Sequence, residues 1–112
     1  MSHIIPKRIH YCWFGKKEMS KLHQACIESW KAELPDYKIT RWDETNTPMD
    51  HPFIDYHYKR KNWAFVSDFV RLYALYHHGG IYLDTDIEVI RDFTPLLNHH
   101  VFLGYEKENR LN

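Results

Sequence analysis

The sequence predicts an α/β fold: a parallel sheet flanked by helices. Three observations carry that expectation. An apolar run, Ile9 to Phe14, is bounded by Pro6 and Gly15. A helix-periodic stretch and a second β-patterned segment follow it, giving strand–helix–strand, which opens a parallel sheet with a right-handed crossover. Further on, a strongly helical stretch ends at Gly79-Gly80 and turns at once into Ile81-Tyr82-Leu83.

Each element has a local reason. Residues 8–14 are rich in β-branched and aromatic side chains and nearly all apolar after Ile9, which suits a central strand covered on both faces. Ser20 caps a helix to about Glu33, with Leu22, Cys26, Ile27 and Trp30 inward and Lys21, Gln24, Glu28 and Lys31 outward. Pro35-Asp36 breaks it, and Tyr37 to Trp42 alternates as a strand. Asp43 to His51 is a polar loop, and Pro52 to Lys59 holds a short helical turn. Asn62 to His78 is the strongest helix, with Phe65, Phe69, Leu72 and Tyr76 on one stripe and Val66, Val70 and Tyr73 widening it. So wide an apolar face predicts a largely buried helix, closed by Gly79 in a left-handed cap. Strand 81–83, an extended Ile87 to Ile90, a strand over Val101 to Gly104 and a frayed polar tail from Glu106 complete the expectation.

Composition narrows the function classes. A length of 112 residues predicts one domain, and 44% apolar with 16% aromatic residues predicts a packed core. Fifteen basic and fifteen acidic side chains cancel, which excludes a general electrostatic grip on nucleic acid. Nine histidines include no H-x-x-x-H pair, so scattered histidines outweigh a histidine-built metal site. Cys12 and Cys26 make no C-x-x-C motif and no disulfide framework. Buried free thiols, and no apolar stretch of membrane-spanning length or secretory leader, predict a cytoplasmic location with peripheral membrane association left open.

The chemistry concentrates in Asp84-Thr85-Asp86. Two carboxylates where a central strand runs out sit over the crevice in which open α/β sheets bind ligands. They repel one another unless a cation bridges them, and a hard divalent ion, Mn²⁺ or Mg²⁺, takes oxygen ligands and accepts phosphate oxygens. Eight aspartates in the chain give about 0.6 such pairs by chance, so a turn with two solvated acids stands beside the metal–diphosphate reading. Asp68 and Arg71 lie three apart on the helix among Phe65, Phe69, Val70 and Leu72. In that setting plain solvent exposure is less expected than a partner or a binding role, with the Asp accepting from sugar hydroxyls and the Arg donating bidentately. A surface ion pair remains the alternative. Trp13, at the end of the first strand, either stacks on a nucleobase or fills the core.

Together these residues resemble a known family. Ile5-Pro6-Lys7-Arg8-Ile9-His10-Tyr11-Cys12-Trp13-Phe14-Gly15 resembles the opening of the sugar transferases with a D-x-D sugar-binding region, the group of capsular polysaccharide transferases and fungal initiating mannosyltransferases. Ala64 to Arg71 and Gly79 to Asp86 are similar to the core of that group, and to the catalytic core of the large glucosylating clostridial toxins. The likeness runs over residues 4–105.

The resemblance implies a GT-A type fold, a Rossmann-like nucleotide-binding sheet flanked by helices, and a metal-dependent glycosyltransferase. It would move a hexose from a nucleoside-diphosphate sugar to a saccharide acceptor, in polysaccharide biosynthesis and with a retaining outcome. It implies that Trp13 stacks on the base and that Ala64, Ser67 and Tyr82 line the donor pocket. Asp68 and Arg71 would hold the sugar, Asp84 would contact ribose and sugar, and Asp86 together with Asp84 would bind the metal. Members of the group continue well beyond this point, so the donor half is expected here, with a sheet incomplete on its C-terminal side and open edges that favour self-association. Three readings stand at this level: an enzyme, a nucleotide-sugar-binding module without turnover, and a structural domain in which the two acids are only turn residues.

Overall fold

A computed structural model describes residues 5–98. Three parallel strands, β1 (Arg8–Cys12), β2 (Lys38–Trp42) and β3 (Ile81–Tyr82), form one sheet in the order β2–β1–β3. β1 is central, as its apolar run predicts: Ile9 lies opposite Ile39 on one side and Ile81 on the other. Between the strands run α1 (Lys21–Glu33), α2 (Pro52–Lys59) and α3 (Trp63–His78), and a 3-10 turn over Thr94–Asn98 ends the described chain. The expected strand at 101–104 and the tail from 106 lie outside the described residues.

The period of two along β1 separates two cores. Ile9 and Tyr11 face α1, where they pack with Ile27, Trp30 and Leu34. Cys12 faces the other side, with Trp42, Ile54 of α2 and Val66, Val70 and Ala74 of α3. Ser20 caps α1 as predicted, its Oγ accepting the His23 N–H at 3.4 Å. The short turn at 52–59 is a full α-helix, with Pro52 in its first turn and His51 Nδ1 accepting the Phe53 N–H at 3.2 Å.

Two burial expectations are corrected. Leu22 is 65% exposed, because α1 turns only Cys26, Ile27 and Trp30 inward. The stripe Phe65–Phe69–Leu72–Tyr76 is not the buried face of α3, whose inward residues are Val66, Val70 and Ala74. Leu72 is 64% and Tyr76 85% exposed. The helix touches the sheet along one narrow line, and small residues there let it lie close. Its outer aromatics meet α2 instead: Phe69 stacks on Phe53 at 5.5 Å and Phe65 on His57 at 4.8 Å. Ile87 to Ile90, expected extended, pairs with no strand among the described residues, although Val89 is buried against the α1 side.

The α3–β3 junction explains both glycines. Gly79 has φ +66° with ψ −164°, a positive-φ cap that is extended in ψ rather than left-handed helical, and its N–H donates to the Leu75 carbonyl. Gly80 has φ +95°, and a Cβ there would stand 2.6 Å from the Arg8 carbonyl oxygen of β1. The chain can enter β3 beside β1 only without that atom. His10 then ties the junction down. Its Nε2 bonds the Gly79 carbonyl at 2.9 Å, and its Nδ1 accepts the Trp42 indole N–H at 3.1 Å.

Gly80→Ala is therefore expected to destabilise the fold by about 3 kcal/mol, whereas Tyr76→Ala should stay within about 0.5 kcal/mol; urea unfolding of both variants measures the contrast. A second outcome concerns pH. Burial holds the His10 imidazole below its ordinary 6.5, opposed by the Gly79 carbonyl and reinforced by nearby His78 and Arg8. The unfolded chain takes up a proton that the folded chain refuses. The contribution is thus complete above pH 6.5 and declines as pH falls toward the lowered folded value. Thermal unfolding between pH 5 and 8 should show a smaller loss on acidification in His10→Gln than in the parent chain.

Candidate functional site

The carboxyl ends of β1 and β3 open into a cleft of about 500 Å³ whose third wall is the first half of α3. All eight residues singled out from the sequence line it: Trp13, Ala64, Ser67, Asp68, Arg71, Tyr82, Asp84 and Asp86. A wider groove of about 770 Å³ lies between the β1–α1 loop, α1 and Arg41; it shares only Lys17 with the cleft and holds none of the eight.

Each wall has its own support. Ala64, Ser67, Asp68 and Arg71 recur at three- and four-residue spacing, so one face of α3 presents all four. Asp84 and Asp86 stand in a tight turn closed by the Ile87 N–H donating to the Asp84 carbonyl at 3.1 Å. Helix α1 grips the chain just beyond: the Trp30 indole N–H donates to the Ile87 carbonyl at 2.7 Å, and Ser29 Oγ accepts the Val89 N–H at 2.9 Å. Trp13 is half-buried and fixed on two sides. Its indole N–H donates to the Lys17 carbonyl at 2.7 Å, and His23 meets it edge-on at 5.2 Å.

Of the two arrangements open for Asp68 and Arg71, the structure shows the exposed ion pair and not a shielded one. Their side chains are 64% and 45% exposed, and they form an i,i+3 contact at 3.8 Å on the cleft rim. The neighbouring apolar residues belong to the outer aromatic face, not to a core that would enclose them. Arg71 also lies 5.9 Å from the Tyr82 ring centroid, at the outer limit of a cation–π contact.

Charge is unevenly placed. Asp84 is exposed at the cleft mouth, yet partial desolvation of its carboxyl first, then repulsion from Asp86 and Asp68, push it above its ordinary range, with Arg71 pulling it back. Among the lining residues three carboxylates face two permanent cations, Lys17 and Arg71. Beneath them burial pushes the Cys12 thiol up to about 11, although the Tyr82 and Ser67 hydroxyls pull the other way. Cys12 is therefore a neutral packing group at ordinary pH and not a nucleophile. Burial also raises the Tyr82 phenol, aided by Cys12 and Asp84.

Lys17, His23, Trp63, Phe14 and Thr85 line the cleft as well and were not singled out from the sequence. A signal existed for the first two, since the loop after a strand and the first turn of the next helix lie over the crevice of a parallel sheet. Among the described residues no cluster of three or more His, Cys, Asp or Glu could hold a metal unaided. No helix among them is long and apolar enough to cross a membrane.

A sheet of this order, with acids at the end of its third strand, has the architecture of a GT-A type glycosyltransferase. A solved structure, the PaToxG glycosyltransferase, superposes with a TM-score of 0.63 at 23% identity, covering 80% of this chain and 45% of that one. The sequence profile of the family described as "glycosyltransferase sugar-binding region containing DXD motif" matches residues 20–103, and the chain belongs to that family. Among curated proteins it is similar to inositol phosphoceramide mannosyltransferase 3 of Schizosaccharomyces pombe, 31% identical over 103 residues, which are 85% of this chain and 28% of that protein. A mannosyl phosphorylinositol ceramide synthase of Saccharomyces cerevisiae is 31% identical over 108 residues, 89% of this chain and 28% of its own length. An uncharacterized glycosyltransferase of Acanthamoeba polyphaga mimivirus is 28% identical over an alignment of 116 positions that covers 95% of this chain and 45% of its own length. The chain thus spans less than half the length of these curated relatives.

The raised Asp84 carboxyl has a measurable consequence. Its ionised form is disfavoured by folding, so the cost appears as pH rises through the ordinary aspartate value of 3.8 to the raised folded value and is complete at neutrality. Asp84→Asn removes it. In chelator at pH 7 that variant should melt above the parent chain, and the difference should close on acidification below the ordinary aspartate range. A lower melting point at pH 7 would show that the carboxylate is held by favourable contacts instead.

Proposed function

We propose that the cleft binds a nucleoside-diphosphate sugar together with a divalent cation, Mn²⁺ or Mg²⁺, and that the chain supplies the donor side of a glycosyltransferase moving a hexose to a saccharide acceptor. The observation that carries this is the gathering of an indole, one helix face of polar groups and two strand-end carboxylates around one cleft. In this assignment Trp13 stacks on the base, Ala64, Ser67 and Tyr82 line the pocket, Asp68 accepts from sugar hydroxyls and Arg71 donates to hydroxyl or phosphate oxygens.

The donor set fits a hard cation. Asp84 and Asp86 offer only oxygen, repel one another, and leave further ligand positions to water and phosphate. An anionic diphosphate entering a cleft in which carboxylates outnumber permanent cations requires added positive charge. When bound, the cation would neutralise the diphosphate leaving group. The chain's own residues would fix the base, orient the sugar against α3 and place Arg71 beside the departing charge.

Two of the similar proteins are named for mannosyl transfer or a mannosyl product, which favours a mannosyl donor among hexoses and leaves a polysaccharide role as one branch of acceptor chemistry. The two free, buried cysteines are compatible with a cytoplasmic location. Self-association through the sheet edges belongs to the same proposal. Calorimetry with UDP and GDP tests its core. One of them should bind with Mn²⁺ and weaken at least about tenfold with chelator or in Asp86→Asn. Folded protein that binds neither nucleotide in Mn²⁺ would falsify the assignment. Donor-sugar hydrolysis lost in Asp86→Asn separates turnover from binding alone.

A further inference from the structure

The loop that carries Trp13 is short, irregular and strained. Gly15 has φ +98° and Lys16, which is not a glycine, has φ +62°. Two contacts hold its near end: the Trp13 backbone N–H donates to the Trp42 carbonyl at 2.9 Å, and the Trp13 indole reaches the Lys17 carbonyl. The middle of the loop is held from a different part of the chain. Glu44, two residues beyond β2, accepts the Gly15 N–H at 2.7 Å on Oε2, and the same oxygen accepts the Tyr58 hydroxyl at 2.8 Å.

The other members of this cluster are aromatic. Tyr58 packs edge-on against Trp63 at 5.1 Å. A Cβ on Gly15 would stand 3.2 Å from the Trp63 indole, so the loop backbone lies directly on that ring. Trp13, Phe14, Lys17 and Trp63 line the cleft, whereas Glu44 and Tyr58 do not. Burial, with nearby Asp43, pushes the Glu44 carboxyl up, yet the Gly15 N–H, the Glu44 backbone N–H and the Tyr58 hydroxyl together outweigh them and hold the group below its ordinary range. A charged acceptor of two short bonds is the strongest polar link available to this loop.

We infer that Glu44 is a positioning residue for the nucleotide pocket: its carboxylate clamps Gly15 and Tyr58 together and thereby sets the aromatic wall formed by Trp13, Phe14 and Trp63. The inference rests on the donor-site assignment proposed above. It gives a role to the β2–α2 loop, which touches no ligand in that assignment. Losing the clamp frees the backbone between Trp13 and Lys17, and a stacking surface that must be ordered on binding binds more weakly.

The test uses the full chain and two readouts. Glu44→Ala should bind the nucleotide selected by calorimetry, with Mn²⁺, about tenfold more weakly, as expected for one lost charge-assisted link. Glu44→Gln keeps a carbonyl oxygen for both donors and should stay within about threefold of the parent. A merely structural role would lower the melting temperature of Glu44→Ala but leave affinity well below that temperature unchanged. Should Glu44→Ala fail to fold, Tyr58→Phe keeps the ring on Trp63, removes one bond and should weaken binding by about threefold. Parent-like affinity in Glu44→Ala, or in Tyr58→Phe where that replaces it, overturns the inference. Hydrogen exchange without ligand keeps the two claims apart. The Gly15 amide should be protected in the parent chain and fast in Glu44→Ala, whether or not a nucleotide binds. An unprotected Gly15 amide in the parent overturns the clamp even where the nucleotide binds.

Discussion

One buried imidazole joins the parts that have to meet. His10 sits in the central strand with 1% of its surface exposed. Through Nδ1 it takes the Trp42 indole N–H from β2, so the proton of the neutral ring lies on Nε2, facing the Gly79 carbonyl at the entry to β3. A protonated ring would lose the Trp42 bond, because both nitrogens would then be donors. The two edge strands are thus held to the middle one by a group that works only when neutral, and burial keeps it neutral. Gly79 and Gly80 are the backbone counterpart, since a side chain at Gly80 would collide with the Arg8 carbonyl that β3 must pass.

With the strands fixed, the site follows from where they end. β1 delivers Trp13 and β3 delivers Tyr82 and the Asp84–Asp86 turn, while the face of α3 carrying Ala64, Ser67, Asp68 and Arg71 closes the space between them. The acidic turn is gripped from below by Trp30 and Ser29, so its carboxylates are presented by packed structure and not by a free loop. That placement stores mutual repulsion in the ligand-free molecule.

Most of the frame was legible in the sequence. Ser20, Pro52 and Gly79 mark helix ends by backbone chemistry that acts locally, and the apolar density of Ile9 to Cys12 marks a strand covered on both faces. Trp13, Asp68, Arg71, Asp84 and Asp86 were legible from residue type and position along the chain, whereas Ala64, Ser67 and Tyr82 came from the family resemblance alone. Burial along α3 was not. Hydrophobic character shows which residues can be buried, while the line of contact with the sheet decides which ones are, and there the small side chains Val66, Val70 and Ala74 won over larger aromatics. For the same reason the choice between an exposed and a shielded Asp68–Arg71 pair stayed open until the fold was known. Glu44 left no local signal: a lone acid in a polar loop becomes a clamp only when Gly15 and Tyr58 arrive from elsewhere.

The chain belongs to a glycosyltransferase family and its sheet is of GT-A type, and the proposal gives the cleft residues a common purpose as a donor site. The central claim is that base, sugar and cation share this one cleft. A crystal structure with bound nucleoside diphosphate and Mn²⁺ tests it most directly. The expected result is a base lying on the Trp13 ring, with anomalous density for one metal between the Asp84–Asp86 turn and the phosphates. A nucleotide seated in the groove beside Arg41, or metal density away from both carboxylates, would contradict it.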